Sequence, residues 1–208
     1  MKNYMIINGQ KIELPDDLAE KILAAQNAAG AMLSEAATGS VVKIGEHEMV
    51  VLEHLENGTT ALIRKDLFSE RQKFGKNNNY DGSCADRTCN EFAEKIAAVV
   101  GEENIIIHTV DLTSGDGLKD YGTVERRASL LTAEQYRRYV EILDNHKING
   151  WWWLATPYST PRHENDTWVK CVAPAGFISG GNCNYDFGVR PFCILKSTSL
   201  YLRERRTI

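Results

Sequence analysis

No apolar run in this sequence approaches the roughly 20 residues that a membrane-spanning helix requires, so no helical span is expected. Charge of one sign is also missing. Lys and Arg number 24 against 28 Asp and Glu, a formal net charge of -4, so bulk electrostatics give no footprint for nucleic acid. Cysteine is sparse and odd in number: Cys84, Cys89, Cys171, Cys183 and Cys193. The start, Met1-Lys2-Asn3-Tyr4, leads into strand-like alternation and not into the continuous apolar stretch of a secretory signal. Together these features predict reduced thiols and a soluble protein in the cytoplasm, not a disulfide framework.

What is present is ordinary globular material, 43% apolar and 25% charged, enough to bury a core unaided. Asn8-Gly9 between two short apolar runs is a strong two-residue hairpin signal, because a type I′ turn needs positive φ at both central positions. Pro15-Asp16-Asp17 then opens a predicted helix with an apolar seam of Leu18, Ile22, Ala25, Ala29 and Met32. Residues 1–37 therefore read as a hairpin-helix arm, 38–200 as the main domain, and 201–208 as a short basic tail carrying Arg203, Arg205 and Arg206. Within the main domain, residues 41–44, 49–52 and 60–63 read as a three-stranded meander. Residues 69–82 read as loop. A helix is expected over 85–100 with Phe92, Ile96 and Val99 on its buried side, followed by a strand over 104–112 and a loop to about 127. Thr132-Ala133-Glu134-Gln135 is a capping-box signature opening a second helix. Trp151–Leu154, Trp168–Val172 and Gly188–Leu195 read as late strands, with Gly176, Gly180 and Gly181 marking turns. The sum is an α+β domain with a mostly antiparallel sheet and two helices.

Two late motifs carry a resemblance. Trp152-Trp153-Leu154-Ala155-Thr156-Pro157 and Gly188-Val189-Arg190-Pro191 are similar to a bacterial and phage family of uncharacterised proteins whose members carry Trp-Trp-Leu-Arg-Ser-Pro and Gly-Val-Arg-Pro-Ala. The likeness covers roughly residues 40–196. Ala155 and Thr156 stand where that family has Arg-Ser, and Phe192 where it has Ala. The resemblance implies a C-type-lectin-like fold, shared with formylglycine-generating enzymes and with the variable proteins of diversity-generating retroelements. It also implies a stable scaffold displaying a variable surface near its C-terminal end. Arg190, a charge on a closing strand, is expected to act as a structural clamp on neighbouring loop carbonyls or a carboxylate.

The chemistry that can be sought by pattern is thin. Cys183, in a polar Gly-rich turn, is the thiol expected at the surface, whereas Cys193 alternates with Phe192 and Ile194 and is expected inside. Their ten-residue separation departs from the close pair that a formylglycine-generating oxidase implies. The five histidines form no His-x-x-x-His pair, and Cys84 and Cys89 have no second pair at zinc spacing. Asp111, Asp116 and Asp120 flank a Gly-containing loop with oxygen ligands of the kind calcium takes, but their spacing is not that of an EF-hand; a solvated acidic loop is the expectation. No cofactor or metal is expected.

The remaining signal is a binding vocabulary. Residues 158–167 and 179–187 are rich in Tyr, Ser, Asn and Gly, which combine rigid aromatic area with adaptable hydrogen bonding. Tyr158, His163, Asn165, Asn182, Asn184 and Tyr185 are the expected ligand- or partner-binding residues, with Leu18, Ile22 and Met32 as an arm contact. The function expected is non-enzymatic recognition, of phage or prophage type, of a protein or glycan through the C-terminal loops. The alternatives are a phage-encoded inhibitor of a host defence protein, of anti-CRISPR type, and a formylglycine-generating-like oxidase. The expected partner is a host protein or a second copy bound through the N-terminal helix; neither membrane nor nucleic acid is expected.

Overall fold

The computed structural model describes residues 4–7, 10–13, 15 and 30–201. β1 (Tyr4–Ile7) and β2 (Gln10–Glu13) pair antiparallel with Ile7 opposite Gln10, the register of a two-residue connection. The expected arm helix, with Leu18 and Ile22, lies outside the described residues. Met32 does not extend it: Met32 sits in β3 (Ala31–Met32), paired with β17 (Leu200–Tyr201). The chain around it joins the main core, where Leu33 and Ala36 are buried.

The protein is α+β, built mostly of antiparallel sheet. The first sheet runs in the order β11 (Ala128–Ser129), β16 (Phe192–Lys196), β6 (Thr59–Arg64), β5 (His47–Leu55) and β4 (Val41–Ile44), with β8 (Ile105–Ile106) also on β16. The expected meander is its β4-β5-β6 end. β5 shows why both faces are covered: Met49 and Val51 point to one core, Val50 and Leu52 to another, as period-two alternation demands. The first core is closed by α1 (Cys84–Val100), whose Phe92, Ala93 and Ile96 meet Ile44, Met49 and Leu62 in one buried cluster. Ser83 caps α1 by accepting from the Asp86 N–H at 3.0 Å. Val99, expected inside, is 52% exposed and lies against Gly45 near the helix end.

The second core lies between the other face of this sheet and a second one, ordered β14 (Ile178–Asn182), β13 (Trp168–Val172), β12 (Trp152–Pro157), β15 (Phe187–Val189) and β7 (Ser69–Gln72). Its β12–β15 pairing is parallel. The expected second helix is two pieces, α2 (Ala133–Arg138) and α3 (Val140–Asp144), broken at Tyr139, whose phenol turns inward to donate to Glu53 Oε2 at 2.8 Å. The capping box of Thr132 and Gln135 is formed in both directions. Tyr136 and Leu143 pack with Trp152, Leu154 and Val172. A third core covers the far face of the second sheet, where Trp153, Ala155, Val169 and Cys171 meet Phe74, Tyr80 and Leu130.

Several boundaries differ from expectation for local reasons. The strand expected over 104–112 is β8 and β9 (His108–Asp111), separated at exposed Ile107, with β9 paired to β10 (Thr123–Arg126) in a stretch expected to be loop. Residues 69–72 form β7 where a loop was expected. The single strand expected over 188–195 divides at Arg190-Pro191 into β15 and β16, which belong to different sheets. Pro191 has no N–H to offer a ladder, so the chain changes sheet there. Gly180 and Gly181, expected to mark turns, lie inside β14. A Cβ at Gly180 would stand 3.1 Å from the Tyr158 ring, and one at Gly181 2.6 Å from the Phe187 ring. Aromatic neighbours on both faces of β14 explain the two glycines.

Candidate functional site

Three consecutive tryptophans serve three environments. Trp152 and Trp153 point to opposite faces of β12 and are buried, whereas Trp151, just before the strand, remains 36% exposed. The Trp152 ring packs against Tyr136, edge to face at 5.7 Å. Trp153 lies 4.5 Å from Phe187 and donates its indole N–H to the Gln72 carbonyl at 3.1 Å. Trp151 stacks on Phe187 at 5.5 Å with the planes 20° apart, and meets Phe177 edge-on at 6.3 Å. Tyr185 adds a fifth ring, 5.9 Å from Phe187. Offset stacking and edge contacts of this kind favour a fixed cluster.

This cluster borders a surface groove of about 690 Å³. One wall is residues 147–150, the other is Asp66, Leu67, Glu70 and Arg71, and Trp151, Asp186 and Phe187 complete it. Leu67 rests on the backbone of Gly188, where a Cβ would approach Leu67 Cδ1 to 2.4 Å. Arg190 joins the chain segments that lead into the two walls. It is 1% exposed, donates from Nε to the Arg64 carbonyl at 2.7 Å, and from Nη2 to the carbonyls of Lys65 at 3.0 Å and His146 at 3.2 Å. Its guanidinium also lies 5.4 Å from the Trp152 ring centroid. Burial pushes its pKa down to about 10, which leaves it charged at neutral pH.

The 158–167 loop is built differently. Asp116 takes hydroxyl donors from Ser114 at 2.5 Å and Ser159 at 2.6 Å, and lies 2.9 Å from His163 Nδ1. These donors hold its carboxyl well below the ordinary range. Asp120 accepts from Thr160 Oγ1 at 2.6 Å and pairs with Arg162. Buried Asn78 donates to the carbonyls of Ser159, Asn165 and Trp168, and accepts from the Tyr121 hydroxyl at 2.7 Å. Asp111 instead holds Thr113, through its N–H at 2.8 Å and its hydroxyl at 2.6 Å. The acidic loop thus clasps its neighbour with carboxylates that each serve a separate set of donors. Among the described residues no group of three or more His, Cys, Asp or Glu side chains could hold a metal ion.

The six residues expected to bind are not brought to one place. Tyr158, Asn165 and Asn182 gather at Trp168: the Tyr158 N–H donates to its carbonyl, Asn165 Oδ1 accepts from its N–H, and Asn182 pairs with it in the sheet. Tyr158 also lies under Lys170 Nζ, 3.9 Å from its ring centroid. His163 is held by Asp116. Asn182 turns its side chain to the Asn184 N–H, and only Tyr185 reaches the aromatic cluster. Missed by sequence were Trp151, Phe177 and Phe187; the available signal was that alternation cannot bury three adjacent tryptophans equally at a strand end.

Four of the five cysteines are buried, and only Cys84 is partly exposed. Cys183, expected at the surface, is fully buried with Phe74 and Trp153, because the backbone bonds of residue 183 to Thr167 and Phe74 hold it inside the third core. Burial raises its pKa, and pushes those of Cys89, Cys171 and Cys193 up to about 12. Ser129 Oγ lies 2.9 Å from His108 Nε2, but both are buried, and desolvation brings His108 down to about 4. No helix among the described residues is long and apolar enough to cross a membrane. No protein-family model matches the chain, and neither a curated protein nor a solved structure matches it.

Proposed function

We propose that the chain is a non-enzymatic recognition module of phage or prophage type, on a C-type-lectin-like scaffold, whose binding face is the aromatic cluster and groove at Trp151. One observation carries this reading. Of the five large aromatic side chains exposed among the described residues, three, Trp151, Phe177 and Tyr185, meet in one cluster with Phe187, whereas Tyr158 and Trp168 lie beside Gly180 on the other face of β14. Exposed aromatic area costs solvation and is concentrated where surfaces bind. Its support comes from buried Arg190, which bonds the carbonyls of Arg64, Lys65 and His146, next in the chain to the two groove walls. Rigid anchors lose little entropy on binding.

The test is capture of host material on the immobilised full chain. Bacterial lysate and cell-envelope fractions are passed over the wild type and over a Trp151→Ala/Phe177→Ala/Tyr185→Ala variant whose folding is checked by circular dichroism. A ligand retained by the wild type and lost from the variant supports the assignment. Equal retention by both places recognition elsewhere and overturns it.

A further inference from the structure

The chemistry lining the groove selects a class of ligand. Three carboxylates, Asp66, Glu70 and Asp186, line the groove together with two cations, Arg71 and Lys147, and the amide of Asn149. Lys147 is in addition within 3.6 Å of Asp144. The lining is therefore nearly balanced in charge and dense in donors and acceptors. A polyanion meets three carboxylates there, and counterion-driven binding needs a cationic face. A dry protein interface is disfavoured as well, because interface cores are depleted of Asp, Glu and Lys, and burying unpaired charges is expensive. Sites for apolar small molecules are mostly hydrophobic, with a few polar groups. A sugar satisfies what remains: its hydroxyl edge pairs with carboxylates, guanidinium and amide, while its C–H face lies on an aromatic ring.

The ring is in place. Phe187 stacks on Trp151 and Phe177 meets it edge-on, so the indole is fixed while 36% of the residue stays open. The volume of about 690 Å³ exceeds one sugar ring and lies within the usual range of roughly 300–1,000 Å³ for ligand sites. We infer that the groove binds a neutral oligosaccharide, with the Trp151 indole as the platform for one sugar ring and the Asp66, Glu70, Arg71 and Asp186 side chains as partners for its hydroxyls. This rests on the recognition reading above and narrows its ligand.

The probes are maltohexaose, cellohexaose, chitohexaose and mannohexaose, titrated into the full chain at millimolar concentration and followed by calorimetry and tryptophan fluorescence. At least one is expected to bind and to shift the emission. Trp151→Ala weakens that sugar about tenfold or more, whereas Trp168→Ala, which removes an exposed indole that does not line the groove, changes affinity by less than about twofold. Asp186→Asn, which keeps the shape, separates loss of hydrogen bonding from loss of fold. Failure of all four sugars to bind, or equal affinity in Trp151→Ala, overturns the oligosaccharide assignment. The two readings fail separately. Host material that is lost from the triple variant, destroyed by protease and resistant to periodate leaves the recognition face standing and removes the sugar.

Discussion

The 158–167 loop and the Trp151 groove are carried by one sheet and are held by opposite means. The loop is fixed through its own polar groups, with Asp116, Asp120 and Asn78 occupying its hydroxyls and carbonyls. The groove is supported differently, by Arg190 bonding the carbonyls of Arg64, Lys65 and His146, the residues that lead into its two walls. A loop that spends its donors and acceptors on holding its own shape has fewer to offer a ligand. Polar, Asn- and Ser-rich composition therefore marks structure here, and the aromatic residues beside it mark the surface available for binding.

Removing the support of the groove is expected to have the largest effect. Arg190→Met keeps much of the aliphatic length and leaves the carbonyls of Arg64, Lys65 and His146 without their buried donor. Unfolding in urea is expected to show a loss of about 3 kcal/mol or more. Amide exchange should rise at 64–67 and 146–150 and stay unchanged at 159–168. Arg190→Lys rescues only part of this, because one ammonium cannot reproduce the fork. Full stability in Arg190→Met would show that the walls hold themselves.

Arg190 also marks how far sequence reading reaches. A lone charge between Val189 and Pro191 on a closing strand signals a clamp, because a buried guanidinium needs acceptors wherever it lies. The β4-β5-β6 meander and the Thr132 capping box are legible for the same reason: their rules are local. Which carbonyls Arg190 takes is not legible, since residues 64, 65 and 146 are brought together only by the fold. Cys183 defeats composition in the same way. Its polar neighbours suggest exposure, while backbone bonds to Thr167 and Phe74 turn it inward. Gly180 and Gly181 resemble turn residues until the rings of Tyr158 and Phe187 are placed beside them.

Asn78→Ala breaks the other side of the comparison. One buried side chain donates to three carbonyls and accepts from Tyr121, so its loss is expected to lower stability by about 2–3 kcal/mol. Here the exchange pattern inverts: protection falls across 159–168 and is retained at 64–67. A variant that loosens both regions equally would mean that loop and groove form one cooperative unit.

Acid sharpens the same distinction more gently. The Asp116 carboxyl is held below its ordinary range by the Ser114 and Ser159 hydroxyls and by His163. A carboxyl depressed in the folded state stabilises above its unfolded pKa of about 3.9, and that contribution is lost as pH falls through the lower folded value. The clasp is therefore expected to persist from neutral pH to about 4 and to loosen only below it. Exchange at Ser159 and Thr160, measured from pH 7 to 3, should show this in the wild type. Asp116→Asn, which cannot gain charge, should remove the dependence.

A smaller effect on stability than that of its neighbour Trp153 is expected for the residue given the largest part in binding. Trp151→Ala forfeits one stacked and one edge contact, each worth roughly 0.5–1.5 kcal/mol at most, and leaves a third of the side chain's surroundings already wet. A loss of about 1–3 kcal/mol is expected in urea. Trp153→Ala, two residues on, empties a fully buried site and forfeits the hydrogen bond to Gln72, for which about 3–5 kcal/mol is expected. The two variants remove the same atoms from the same strand end, so their difference measures environment alone. If Trp151→Ala proves as damaging as Trp153→Ala, the exposed indole is holding the fold, and its exposure no longer argues for a ligand. A small loss from Trp151→Ala beside a large one from Trp153→Ala leaves an aromatic surface that the fold does not require, which is the condition a binding platform must meet.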